Sequence, residues 1–285
     1  MDTHYANSLD AHAYAKVTWR LLPFLFACYV FAYLDRVNVG FAKLQMLSDL
    51  KFSETVYGLG AGIFFIGYFL FEVPSNLIMY RVGARVWIAR IMVTWGILAI
   101  AMMFVKTPFQ FYVLRFLLGA AEAGFIPGIL FYLTYWFPSE RRGRISALFL
   151  TGIPISGVIG GPLSGWIMSS FAGHHGLAGW QWLFLLEGLP SFALGVVTFF
   201  YLPDGIRNCH WLTDSEKDHL ELRIQSETRE KQHHSLRHVF GEPKVWLLAV
   251  TYAFFLMGLY GVSFWLPSLI KSAGVKDPLD VGLLT

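Results

Sequence analysis

The chain has 285 residues, 55% of them hydrophobic and only 14% charged, with a net charge of +3 and a mean hydropathy of +0.52. A soluble domain carries nearer about 25% charged residues, so this composition excludes an ordinary soluble protein, and it offers no basic footprint for nucleic acid. The excess of Phe, Trp and Gly suits helices packed in lipid, with aromatic residues at the interfaces, and predicts an all-α integral membrane protein.

Residues 1–20 are polar and mixed in charge. They lack the apolar core and small-residue cleavage site of a signal peptide, so this segment reads as a retained N-terminus. Apolar runs long enough to span follow at 21–41, 57–80, 87–105, 109–136, 145–170, 180–202 and 245–267. Each meets the requirement of about twenty residues set by a hydrocarbon core ~30 Å thick. The chain thus divides into an N-terminus (1–20), six spans (21–202), a polar linker (203–244), and a stretch (245–285) holding a seventh span and, at Val281-Gly282-Leu283-Leu284, the start of an eighth.

Lys and Arg placement orients these spans. One side carries Lys16, Arg20, Arg81, Arg85, Arg141, Arg142 and Arg144, joined by Arg207, Lys217, Arg223, Arg229, Lys231, Arg237 and Lys244 of the linker. The other side, up to the sixth span, carries Lys43, Lys51 and Lys106. N-terminus and linker are therefore expected in the cytoplasm, in a multi-pass protein of the inner (plasma) membrane.

Within the linker, Thr213-Asp214-Ser215-Glu216 has the pattern of a capping box opening a surface helix, with Leu220 and Ile224 on its apolar side. That helix reads as a connector lying against the membrane domain. Cys28 and Cys209 fall too far apart to suggest a disulfide. Neither Cys209-His210 nor His233-His234 has the companion ligands of a metal site.

Asp35, Arg36, Arg115 and Glu122 stand inside otherwise apolar spans, where a charge costs roughly 2.5–3.5 kcal/mol. Counting rise from Leu21, Arg36 lies about 22 Å in, roughly 8 Å from the outer face, and Arg115 lies about 9 Å from that face. Two arginines at one level suit a clamp on an anion. Glu122 shares a face of the fourth span with Arg115 but sits about 10 Å deeper. Asp35 points about 100° away from Arg36 round the first span. The plainer alternative is that these charges pair with one another and only set helix packing. Tyr68 and Tyr33 could hydrogen-bond a polar ligand, whereas Glu72 and Glu187 read as structural acids. Gly157, Gly161 and Gly165, and Gly124 with Gly128, mark close helix approaches, and Pro154 and Pro162 would bend the fifth span.

Three blocks carry a family resemblance. They are Tyr33-Leu34-Asp35-Arg36-Val37-Asn38-Val39-Gly40-Phe41-Ala42, Arg115-Phe116-Leu117-Leu118-Gly119-Ala120-Ala121-Glu122-Ala123-Gly124, and Trp180-Gln181-Trp182-Leu183-Phe184 followed by Glu187-Gly188. The chain resembles the anion:cation symporter family of the major facilitator superfamily, in its bacterial branch of tartrate, sugar-acid, phthalate and hydroxyphenylacetate carriers. The resemblance implies proton-coupled symport of a small organic carboxylate by alternating access, with protons as the coupling ion and no other cofactor. It implies Asp35 and Glu122 as proton-binding acids, Arg36 and Arg115 as carboxylate ligands, and Tyr68 in the lining. On this reading ionised Glu122 competes for Arg115 and protonation releases the arginine to substrate. The superfamily's gating motif maps to Asn76–Arg85, keeping Arg81, Gly83 and Arg85. Its usual Gly is replaced by Asn76 and its usual acid by Tyr80, which puts that loop's ion pair in question.

Family members have twelve helices in two halves. This chain supplies one complete half, a seventh helix and the start of an eighth, and so reads as a truncated member. A rival class is a non-transporting membrane sensor or assembly protein. An enzyme is not expected, since no nucleophile–base pair or metal cluster falls inside the spans. The particular carboxylate and the oligomeric state are not legible in the sequence.

Overall fold

The computed structural model describes residues 3–230 and 241–285, with side chains at 10–227 and 241–285. Lys231, His233, His234 and Arg237 of the linker lie outside the described residues. Among those described, seven helical segments are long and apolar enough to cross a membrane.

The first predicted span is a single helix, α1 (Thr3–Leu50). It starts well before the apolar run because Ala13, Tyr14 and Val17 are already buried in the bundle, so helix and hydropathy do not begin together. Helix α2 (Glu54–Val82) opens on Ser53, whose hydroxyl accepts from Val56 N at 3.2 Å, and ends at Gly83, where φ is +98°. Helix α3 (Ala84–Ala101) follows.

The fourth predicted span is two helices, α4 (Pro108–Glu122) and α5 (Phe125–Thr134). A capping box of Thr107 and Gln110 starts α4, with Pro108 at its first turn. The break falls at Ala123 (ψ 130°) and Gly124 (φ +87°), a left-handed conformation that glycine adopts without strain. It leaves Glu122 at the end of α4, inside the protein. The fifth span is α6 (Ser139–Leu150) and α7 (Gly152–Ser170), joined through Thr151 at helical angles. Helix α8 (Gly179–Tyr201) completes the six.

Helix α9 (Asp214–Glu230) begins with the capping box expected from its sequence. Thr213 N donates to Glu216 Oε2 at 2.8 Å, and Glu216 N donates back to Thr213 Oγ1 at 3.3 Å. Leu220 is buried and Ile224 packs beside it, so α9 does lie against the bundle. Helices α10 (Pro243–Ser272) and α11 (Pro278–Leu284) close the chain. The glycine stripe of α7 is occupied by α11, with Gly161 against Gly282 and Gly165 against Pro278 and Leu279. Gly157 of the same stripe faces open space.

Apolar rows on α2 (Ile66, Phe69, Leu70, Val73) and α8 (Val197, Phe199, Phe200) face outward, as lipid-facing surfaces do. Inside lie two apolar clusters. One, at the linker end, centres on Trp136, Phe149 and Leu202. The other, at the far end, centres on Phe111, Trp180 and Phe264. The ionisable residues of the spans sit between them.

Candidate functional site

Arg36 projects from α1 to the end of α4. Its Nε donates to Glu122 Oε1 at 2.9 Å, its Nη2 reaches the same oxygen, and its Nη1 donates to Tyr260 Oη of α10 at 2.5 Å. Both members of the pair are buried. Tyr68 lies under the guanidinium, 5.2 Å from ring centre to Cζ. Tyr33 sits one turn before Arg36, buried against α10 beside Ser263.

Arg115 is separate. Its Nε donates to the Gly60 carbonyl at 3.2 Å, and its Nη2 has no hydrogen-bond partner although the residue is 1% exposed. The Phe64 ring lies between the two arginines, 4.7 Å from Arg115 Cζ and 5.9 Å from Arg36 Cζ. Two guanidinium groups against one carboxylate leave an excess positive charge here. A buried donor without a partner is costly in hydrocarbon surroundings and would be satisfied by a carboxylate oxygen through a charge-assisted hydrogen bond.

This geometry corrects one expectation. Glu122 pairs with Arg36, not with Arg115. Two helical turns separate Glu122 from Arg115 on α4, about 10 Å along the axis, whereas Arg36 comes from a neighbouring helix and needs only the length of its own side chain. Arg36 and Glu122 thus tie α1 to the end of α4, and Arg115 stands outside that pair.

Asp35 points away from Arg36, as the 100° turn predicts. Its Oδ2 accepts from Trp95 Nε1 of α3 at 2.8 Å and from the Ser191 hydroxyl of α8, while Oδ1 has no partner. Sequence reasoning missed several contributors: Tyr260, Trp95, Ser191 and the Gly60 carbonyl. Each is an ordinary residue of an apolar helix, and only its position across the bundle gives it a role. Lys43, expected outside the membrane, is buried in α1, where it pairs with Glu54 at 2.7 Å and lies over the Tyr57 ring. The third sequence block is an anchor at the far end: Trp180 Nε1 donates to Asp49 at 2.9 Å, and Gln181 Nε2 to the Met103 carbonyl at 2.8 Å. Glu72 contributes its carbonyl to Asn76 Nδ2.

Residues 25–285 match the family model of the Major Facilitator Superfamily. The chain belongs to the Major Facilitator Superfamily. It is 57% identical over 274 residues to the putative metabolite transport protein NicT of Pseudomonas putida, covering 95% of this chain and 63% of that protein. It is 49% identical over 280 residues to a putative tartrate transporter of Agrobacterium vitis, covering 98% of this chain and 62% of that one. The chain thus spans under two thirds of the length of these relatives. Among solved structures, the fold matches a bacterial homologue of the human lysosomal transporter Spinster in an inward-facing conformation, at a TM-score of 0.70 and 18% identity, over 93% of this chain and 56% of that one. Seven span-length helices and this superfamily membership make it a multi-pass membrane protein. Relatives named as transporters agree with the expectation that the chain is no enzyme.

At the turn between α2 and α3, Tyr80 provides no acid, as its sequence shows, but Asp204, just past α8, does. Its carboxylate accepts from Arg85 N at 3.2 Å and pairs with Arg85 Nε at 3.1 Å. Gly83, at φ +98°, lies against the same carboxyl group. Arg81 has no ion pair among the described residues, and Tyr80 is exposed.

Proposed function

We propose that this chain works as a secondary transporter that imports a small hydroxy-carboxylate, such as tartrate or a sugar acid, together with protons by alternating access. The observation that supports this most is the buried, half-partnered Arg115 beside the Arg36–Glu122 pair, in a chain whose relatives include a putative tartrate transporter. Residues 21–202 form the first six-helix half, 203–244 the connector, and 245–285 the beginning of the second half. The N-terminus and the connector face the cytoplasm of the inner membrane.

In this reading Arg115 and Arg36 bind the carboxylate, Tyr68 and Tyr33 line the pocket, and Asp35 and Glu122 carry the protons. Ionised Glu122 holds Arg36 through two of its nitrogens and keeps it from substrate. Neutral Glu122 would free that fork, so that both guanidinium groups could turn to one anion. Each proton moving inward adds about 2.3 kcal/mol per 100 mV of membrane potential to accumulation. Arg85 and Asp204 serve the gating loop.

The test is uptake into vesicles bearing the chain, with an inward proton gradient, of labelled tartrate, a sugar acid and an aromatic carboxylate. Accumulation of tartrate or the sugar acid that collapses with an uncoupler is the expected result. No accumulation by correctly inserted chain would overturn the reading for this chain. Glu122→Gln is expected to abolish gradient-driven accumulation, and accumulation that persists in that variant would remove Glu122 from the coupling.

A further inference from the structure

A second polar cluster lies on the side of α1 turned away from the Arg36–Glu122 pair. Helices α1 and α8 run antiparallel, as three contacts in register show: Arg20 with Tyr201, Asp35 with Ser191, and Asp49 with Trp180. One turn from Asp35 towards the far end, α1 presents Asn38. One turn from Ser191 in the same direction, α8 presents Glu187. The two therefore share a level. Ser164 of α7 joins the cluster and donates to Glu187 Oε1 at 2.7 Å.

The satisfaction pattern is specific. Asp35 has one oxygen saturated by Trp95 and Ser191 and the other, Oδ1, unpartnered; Glu187 has Oε1 held by Ser164 and Oε2 unpartnered. Neither atom of the Asn38 amide makes a hydrogen bond of full geometry, although Asn38 is 1% exposed, and the amide lies within interaction range of the Glu187 carboxyl. Asp35 and Glu187 are 2% and 1% exposed. No Lys, Arg or His pairs with either acid among the described residues. Glu187 feels the charge of Asp35, and Asp35 feels that of Glu122 of α4. Arg36 is turned to Glu122, α7 brings only Ser164, and on α3 Arg90 stacks on Trp87 at 3.9 Å.

We propose that Asp35 and Glu187 together hold one proton, with Asn38 linking them, in a coupling cluster on the side of α1 turned away from the Arg36–Glu122 pair. Two ionised carboxylates so placed, without a cation, are strongly disfavoured in a buried site. Binding forms one O–H bond on Asp35 Oδ1 or Glu187 Oε2, with the proton taken from water and returned to water on release. No other bond breaks, and the charge of the pair goes from −2 to −1. An amide suits the link because its N–H can donate to the ionised carboxylate while its oxygen accepts from the protonated one. Its role in transport rests on the carrier reading above, but its proton chemistry does not.

Infrared difference spectra of the purified, lipid-reconstituted chain, recorded as pH is raised, test this without any substrate. A buried protonated carboxyl band is expected in the native chain. Asp35→Asn and Glu187→Gln, both close to isosteric, should each remove or displace it, and the double variant should abolish it. Asn38→Leu should make the two carboxyls titrate independently, because interacting acids share their steps. Glu122→Gln should remove only the contribution of Glu122 itself and leave the Asp35–Glu187 band in place, changing at most the pH at which it disappears, since the Glu122 charge acts on Asp35. A band unchanged in both Asp35→Asn and Glu187→Gln overturns the proposal. Sodium ions that remove the band at constant pH would also overturn it, assigning the cluster to that ion. Failed tartrate uptake with the band intact would sink the carrier reading and spare the proton pair, whereas uptake without the band would sink the pair alone.

Discussion

The linker end and the middle of the bundle use the same side-chain types to opposite effect. At the linker end acids are over-supplied with partners. Asp10 takes Arg141 at 2.7 Å and His219 at 2.9 Å, and Glu216 takes Lys16 at 2.7 Å together with the Thr213 N–H. In the middle Glu122 has Arg36 as its one ion pair, while Asp35 and Glu187 have no cation among the described residues. Water at the rim lets a lost partner be replaced cheaply. At depth nothing replaces it, so an unpaired group there is a commitment that stability alone does not explain.

The largest effect that would sharpen this contrast is at Glu122. Replacing it by Ala leaves the Arg36 guanidinium buried without its counter-charge, and should lower unfolding stability in detergent by about 3–5 kcal/mol. A double variant with Arg36→Ala should recover part of the loss. Full additivity of the two single changes would show that the pair is not coupled. Next in size is the close approach of α2 and α4, where Gly119 lies against the Phe64 carbonyl. Gly119→Val should cost about 1–3 kcal/mol by overpacking, with loss of the monodisperse folded peak as the readout. Arg85→Ala, removing a half-exposed pair with Asp204, should cost no more than about 1 kcal/mol, and a cost matching Glu122→Ala would erase the contrast.

Glu216 offers a pH test at the rim. Burial pushes its carboxyl up, but Lys16 and both the N–H and hydroxyl of Thr213 outweigh that and hold it at about 2. A folded value below the ordinary value of about 4.3 means that its contribution is complete at neutral pH. It fades as pH falls through that ordinary value towards about 2. Pepsin cleavage within α9, normalised to a reference peptide, should therefore rise between those limits in the native chain and stay flat in Glu216→Gln. The smallest effect is expected at Arg207, whose pairs with Asp218 and Glu221 are exposed. Arg207→Ala should leave thermal unfolding unchanged.

Much of this was legible beforehand. All seven spans fall where the apolar runs place them, because hydrocarbon thickness demands a run of fixed length whatever the fold. The α9 capping box was legible because both partners are local. The direction of Asp35 away from Arg36 follows from helical pitch. What was not legible involves residues far apart in sequence: that Glu122 chooses Arg36 over Arg115, that Tyr260 completes the pair, and that Arg85 pairs with Asp204. The break after Glu122 was likewise read as continuous helix, since Gly124 signals close packing as readily as a left-handed turn.

The sequence by itself determined the membrane class, the number and order of spans and the burial of Asp35, Arg36, Arg115, Glu122 and Glu187, though not that of Lys43, because these depend on local apolarity and helical period. Only the tertiary structure decided which of those residues meet. A side chain's partner across a bundle is set by helix packing and side-chain reach, and by which oxygens neighbouring helices have already saturated. Asp35, Asn38 and Glu187 show it most plainly. Each is visible in the sequence as a polar residue in an apolar run, but their polar atoms become a cluster only when α1, α7 and α8 close around them.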